Sequence, residues 1–85
     1  MNIKKKFPDL ADMDALELSK LLRRSNLSKE DRQIAVSCFQ WNMDYIDVGA
    51  KVGMDRRTVS RHMKDDIVPT LRRLRAKTCP KVAHG

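Results

Sequence analysis

The sequence predicts an all-α protein, a bundle of four to five helices with a helix-turn-helix at about residues 45–52 and 56–66. Apolar residues recur at three- and four-residue spacing, which is the period of amphipathic helices. Capping residues precede three of these stretches, and no segment shows the alternation of apolar and polar residues that is typical of a strand. The 85 residues are 41% hydrophobic, which is enough for one small domain.

The first two helices follow from their caps and apolar stripes. We expect a flexible arm at residues 1–11, a helical domain at 12–77 and a disordered tail at 78–85. Asp14 stands at capping-box spacing before Glu17, and Ser28 is a favourable cap for the second helix. The second helix carries most of the aromatic bulk. Trp41 belongs to its stripe, so we expect a core tryptophan rather than one that stacks on bases.

A tight turn between two short helices is predicted around Gly53, which tolerates positive φ. Gly49 supplies the small residue needed where the second helix of such a pair crosses close to the first. Asp55 is the expected cap of the following helix. The apolar residues expected to face one another across the pair are Val48, Val52, Met54 and Val59. A plain helical hairpin would meet several of the same demands and stays open as an alternative.

Pro69 allows two structures after the fourth helix. The helix kinks there, or it ends near Asp66 and a fifth helix begins with Pro69 in its first turn. Ile67, Leu71 and Leu74 then share one helix face. This stripe packs against the first helix, or it binds a partner helix or a second copy of the chain as a homo-oligomer.

The net charge of +7 lies entirely in the second part of the chain. Residues 1–50 hold eight Lys or Arg and eight Asp or Glu, whereas residues 51–85 hold ten Lys or Arg and three Asp or Glu. Such an asymmetry is expected of a face that binds a polyanion. A solvated basic surface is the alternative.

The outward face of the fourth helix carries the groups expected to bind DNA. Arginine pairs bidentately with guanine, whereas phosphate contacts position a protein without specifying sequence. The expected base-reading residues are Arg56, Arg57, Ser60 and Arg61. The expected phosphate-binding residues are Lys51, Thr58, Lys64, Arg72 and Arg73. We therefore predict a sequence-specific DNA-binding transcription regulator whose recognition helix, residues 56–66, enters the major groove of double-stranded DNA.

The segment 27–75 resembles the fourth conserved region of bacterial sigma factors, which binds the −35 promoter element. The matching pieces are residues 27–32 (LSKEDR), 47–49 (DVG), 56–61 (RRTVSR) and 71–75 (LRRLR). The resemblance places base reading on Arg56, Arg57 and Arg61. The family usually carries acidic or amide residues at two of these positions, so Arg57 and Arg61 depart from it. We expect the chain to lack the promoter-melting domain of a complete sigma factor.

A shorter stretch is similar to the lambda-type phage activator of the lysogeny pathway. The similar residues are 52–55 (VGMD), 60–61 (SR) and 64–69 (KDDIVP), with one residue inserted to align them. That family is a small helix-turn-helix protein that oligomerises and binds beside RNA polymerase near −35. Both resemblances imply a small regulator from a bacterium, phage or mobile element, with RNA polymerase as a further partner.

Other classes of function are less well supported. The sequence has no phosphate-binding loop or nucleophile motif, so we expect no enzyme and no cofactor. Cys38, His62, Cys79 and His84 lack the spacing of zinc ligands, so we expect no metal. The absence of an apolar run or secretory signal predicts a cytoplasmic, nucleoid-associated protein. The remaining alternative is a helical interaction module that binds polymerase, a sigma factor or itself without reading DNA.

Overall fold

The computed structural model describes residues 6–78, and the regular secondary structure of this part of the chain is helical throughout, without a strand. Its α-helices are α1 (Ala15–Arg24), α2 (Lys29–Ala35), α3 (Tyr45–Val52), α4 (Arg56–His62) and α5 (Val68–Thr78). A first π turn, Val36–Gln40, extends α2, and a second π turn, Met63–Ile67, joins α4 to α5. The all-α prediction is confirmed. No helix in this range is long and apolar enough to cross a membrane.

Side chains cap the starts of four helices. In each case a carboxylate or hydroxyl oxygen accepts the backbone N–H three residues further on, at 2.8–3.1 Å. These bonds satisfy amide groups that have no partner inside the helix. The caps are Asp14, Ser28, Asp44 and Asp55. The predicted starts of α1, α2 and α4 are confirmed, and Asp44 is a further cap that the sequence analysis did not identify.

One apolar core lies between the helices. α1 packs against α5 and the first π turn, while α2 packs against α3 and the second π turn. Ile67 and Leu71 have no exposed surface, and Leu74 packs against the core from its edge. Of the residues suggested to bind a second copy of the chain, Ile67 and Leu71 are therefore not on the surface of the single chain, and only Leu74 remains at its edge. Their burial within a single chain agrees with the alternative of packing against the first helix.

The segment before α1 belongs to the core as well. Pro8–Leu10 form a 3-10 turn, and the side chains of Phe7 and Leu10 are buried. The ring of Phe7 lies 6.5 Å from that of Phe39, centroid to centroid. A flexible arm was expected here. Residues 7–10 pack against the core instead, because burial of the apolar side chains of Phe7 and Leu10 is more favourable than their exposure to water in a flexible arm. The expected arm at residues 1–5 and tail at 79–85 lie outside the described residues.

Trp41 is exposed, with 63% of its surface accessible, so the prediction of a core tryptophan is wrong. The first π turn explains the error. The N–H of Trp41 donates to the carbonyl of Val36, five residues back rather than four. A π turn fits one more residue into the turn than an α-helix does. Trp41 is thereby rotated away from the face that Ile34 and Cys38 bury.

Pro69 lies in the first turn of α5, and the chain stays helical from α4 through the second π turn into α5, so neither predicted alternative describes it fully. The α-helical part of the recognition segment ends at His62, four residues earlier than expected, and continues as the second π turn. The N–H of Val68 donates to Met63, five residues back. In a regular helix the ring of Pro69 would collide with the carbonyl four residues earlier. This carbonyl lies within the second π turn, whose wider hydrogen-bonding pattern leaves room for the ring of Pro69.

Candidate nucleic-acid interface

A three-residue turn, Gly53–Asp55, joins α3 to α4. Gly53 has a left-handed backbone with φ of 77°, which glycine adopts without steric cost. The carbonyl of Gly49 accepts the N–H of Gly53 and, at 2.9 Å, that of Met54. These two bonds satisfy the end of α3 and fix the direction in which the chain leaves it.

Gly49 lies directly beneath the turn. A Cβ placed on this residue would overlap the carbonyl oxygen of Met54 and lie 3.3 Å from its carbonyl carbon. Only a residue without a side chain therefore allows the turn to lie so close to α3. The buried side chains of Val48 and Val59 fill the space between the two helices. Both glycines occupy the positions that the sequence analysis gave them.

Asp55 defines the first residue of α4. Its Oδ1 accepts the N–H of Thr58 at 2.8 Å. Hydrogen bonding from Thr58 lowers the pKa of the Asp55 carboxyl, so Asp55 is a carboxylate at neutral pH. The side chain is exposed and lies beside Arg57 on the outer surface. Asp55 is thus a helix cap, as predicted.

The outward face of α4 is cationic. Arg56, Arg57 and Arg61 are exposed, whereas Val59 and the following Met63 are buried. Because successive helical residues turn by about 100°, Arg57 and Arg61 lie one turn apart and opposite Val59. Within residues 6–78, none of these three arginines has a carboxylate within 4.0 Å of its guanidinium nitrogens.

The other predicted contacts on this helix pair differ in exposure. Lys51 at the end of α3 and Lys64 in the second π turn are exposed. Thr58 and Ser60 are only partly exposed, since they lie on the flanks of α4. We define the α4 face as the exposed or partly exposed side chains Lys51, Arg56, Arg57, Thr58, Ser60, Arg61 and Lys64. The structure places all seven on α3, α4 and the turn that follows.

Arg72 and Arg73 belong to a different element, α5. The Arg72 guanidinium donates to both carboxylate oxygens of Asp9, at 2.7 and 3.0 Å. This bond lowers the pKa of Asp9 and raises that of Arg72. Arg72 therefore holds the N-terminal segment against α5, and it would have to leave Asp9 before it could bind a phosphate as predicted. Arg73 is exposed and lines a groove with Asp31, Asp66 and others.

One contact of α4 was missed by the sequence analysis. The Nδ1 of His62 lies 2.6 Å from Oδ1 of Asp31, a buried residue in the first turn of α2. His62 also lies 3.8 Å from Asp66, four residues later. The sequence gave no sign of this pairing, because Asp31 fits equally well as an acidic residue at a helix start. The contact fixes the end of α4 to α2.

No protein-family model, curated protein or solved structure matches this chain. What the α4 face binds therefore has to follow from its own residues.

Proposed function

We propose that the chain is a sequence-specific DNA-binding protein that acts in transcription regulation, with the α4 face in the major groove of double-stranded DNA. The observation that carries the proposal is that α4 has a buried inner side and an outer side of three exposed arginines, none of which forms an ion pair within 4.0 Å among residues 6–78, although Asp55 lies beside Arg57. An unpaired cationic surface on a firmly seated helix is complementary to a polyanion.

The arrangement of the arginines on α4 favours insertion of this helix into the major groove over contact with the phosphate backbone alone. A helix fits this groove, and helix-turn-helix proteins read bases with the first residues of their second helix. Arg56 and Arg57 occupy those first positions, and Arg61 follows one turn later. A guanidinium can make two parallel hydrogen bonds to O6 and N7 of guanine, so we expect a target that contains guanines.

Lys51 and Lys64 would contact phosphates on either side of the groove. They lie at the end of α3 and just beyond α4, so they flank the arginines along the chain. Arg73 remains a candidate phosphate contact from α5, whereas Arg72 would first have to leave Asp9. Such contacts fix the orientation of a protein on the duplex.

The resemblance to the −35-binding region of sigma factors extends the proposal to a partner. A regulator of this kind from a bacterium, phage or mobile element would place the α4 face beside a promoter and contact RNA polymerase. Trp41 and Ile46, 63% and 62% exposed, are the apolar side chains that favour a second function as a protein-interaction module. Aromatic residues such as Trp41 are enriched in protein–protein interfaces.

Selection of bound duplexes from a random pool would test base reading directly. We expect a defined site that contains guanines. Arg56→Ala and Arg61→Ala should each relax preference at one position, by about 1–3 kcal/mol of discrimination. Arg73→Ala should weaken binding to all sequences alike, because a phosphate contact carries no base information.

Two controls separate the possible functions. Arg23→Ala, on the exposed side of α1, removes the same charge and should leave both affinity and preference unchanged. Equal losses from Arg56→Ala, Arg61→Ala and Arg73→Ala would contradict the assigned roles. A pool that yields no enriched site, together with loss of polymerase binding in Trp41→Ala, would favour the interaction module instead.

A further inference from the structure

Three potential metal ligands meet where α4 is fixed to α2. One ligand atom each from Asp31, His62 and Asp66 lies within 4.8 Å of the others. The Nδ1 of His62 is 2.6 Å from Oδ1 of Asp31 and 3.8 Å from Oδ2 of Asp66. Asp31 comes from α2, whereas His62 and Asp66 lie one turn apart on α4 and the second π turn. The donors therefore converge from two separate parts of the chain.

Two carboxylates of this cluster share one imidazole neighbour. Asp31 is buried, with 6% of its surface exposed, and Asp66 adds a second carboxylate. The Nδ1 of His62 lies 2.6 Å from the first carboxylate and 3.8 Å from the second. A buried carboxylate is costly unless an opposite charge or a metal ion compensates it. A divalent cation would compensate both carboxylates at once.

The two carboxylates of the cluster can be reached from solvent. A groove of about 270 Å³ is lined by Asp31 and Asp66 together with Ser28, Thr70 and Arg73. An ion could enter here and keep water molecules on its outer side. Arg73 is the one cation among the groove-lining residues, and its charge opposes the binding of a second cation.

We propose that Asp31, His62 and Asp66 bind a divalent transition-metal ion such as Zn²⁺, through one imidazole nitrogen and two carboxylate oxygens. Zinc lies about 2.0–2.2 Å from such ligands, so tetrahedral ligand atoms stand roughly 3.3–3.6 Å apart. The 2.6 Å distance from His62 to Asp31 therefore has to open by about 0.7–1.0 Å, and the 3.8 Å distance from His62 to Asp66 has to close by about 0.2–0.5 Å. The carboxylate oxygens of Asp31 and Asp66, which lie within 4.8 Å of each other, have to approach by up to about 1.5 Å, which rotation of the exposed Asp66 side chain supplies. The ion would replace the direct contact between His62 and Asp31, because imidazole and carboxylate bind metal ions in their deprotonated forms.

The donor set selects the class of ion. An imidazole nitrogen suits zinc, cobalt and nickel, whereas Mg²⁺ and Ca²⁺ prefer oxygen ligands alone. Binding would join α2 to the end of the helix that carries Arg56, Arg57 and Arg61. The proposal is independent of DNA binding, because it concerns the free protein and none of its ligands lies on the α4 face.

Zn²⁺ titration of the full chain by calorimetry, in metal-free buffer, tests the site. A Cys79→Ser, His84→Ala background removes other zinc ligands outside the described residues. We expect one Zn²⁺ per chain, a raised melting temperature, and a Co²⁺ complex with visible absorption. Asp66→Asn should weaken Zn²⁺ binding at least tenfold. Asp66 is exposed, so this variant is expected to fold.

Asp65→Asn is the matched control, because it removes the same charge from the neighbouring exposed residue. It should change Zn²⁺ affinity less than twofold, and Arg73→Ala should bind Zn²⁺ at least as tightly as the parent. Equal effects of Asp65→Asn and Asp66→Asn would overturn the proposal. So would the absence of binding at millimolar Zn²⁺, or Mg²⁺ competing on equal terms.

Discussion

Gly49→Ala tests whether close contact between α3 and the following turn holds α4 in place. Two effects oppose each other in this variant. Alanine is favoured over glycine inside a helix by about 1 kcal/mol. Against this, the added Cβ overlaps the backbone oxygen of Met54, which cannot move aside as the end of a side chain would. Overpacking costs about 1–3 kcal/mol, and a backbone obstacle places this case near the upper end.

We therefore expect Gly49→Ala to lower the free energy of unfolding by about 2 kcal/mol, which corresponds to a fall in Tm of roughly 8–16 °C for a domain of this size. Urea unfolding followed by circular dichroism measures the change. Ala50→Gly is the control, since this exposed neighbour should lose only the helix-propensity difference of about 1 kcal/mol. A Gly49→Ala protein as stable as the parent, or more stable, would refute the reasoning.

Three further predictions concern the remainder of the bundle. Trp41→Ala should change the free energy of unfolding by less than about 0.5 kcal/mol, whereas Phe39→Ala, in the core, should cost about 3–5 kcal/mol; similar losses in the two would show that Trp41 is buried. Burial raises the pKa of the Cys38 thiol to about 12. Iodoacetamide at pH 8 should therefore leave the Cys38 peptide unmodified by mass spectrometry until urea unfolds the protein, and rapid labelling of the native protein would contradict its burial. The hydrogen bonds from Arg72 lower the pKa of Asp9, so its contribution to stability is present above the ordinary carboxyl pKa near 3.8 and is lost as pH falls through the lower folded value. Asp9→Asn should therefore be less stable than the parent at pH 6 and equally stable near pH 2, as measured by urea unfolding; a difference that persists unchanged at pH 2 would exclude the ion pair as its cause.

Local signals in the sequence were sufficient to predict where most helices begin. Asp14, Ser28 and Asp55 cap α1, α2 and α4 as expected, because a cap acts within three residues of its own position. The roles of Gly49 and Gly53 could also be predicted from the sequence, because a close helix crossing and a positive φ each exclude almost every other residue.

The remaining differences have two sources, a local departure from α-helical geometry at Trp41 and contacts between distant parts of the chain. A single π hydrogen bond from Trp41 to Val36 was enough to move the tryptophan out of the core. The sequence analysis missed the ion pair of Arg72 with Asp9, because Asp9 lies 63 residues earlier. The pairing of Asp31 with His62 likewise joins residues 31 apart. Spacing along the chain carries no information about such contacts, so only the folded structure reveals them.

The salt dependence of binding to duplex DNA tests the central claim most directly. The wild-type protein is compared with two triple alanine variants, each lacking three positive charges. The interface variant replaces Lys51, Lys64 and Arg73, and the control replaces Lys20, Arg23 and Arg24 on α1. Each lost phosphate contact should reduce the slope of log K against log salt by about 0.9. We predict a flatter slope and weaker binding for the interface variant, with the control equal to wild type. Equal losses in both variants, or wild-type binding that salt does not weaken, would contradict the proposal that this surface binds DNA.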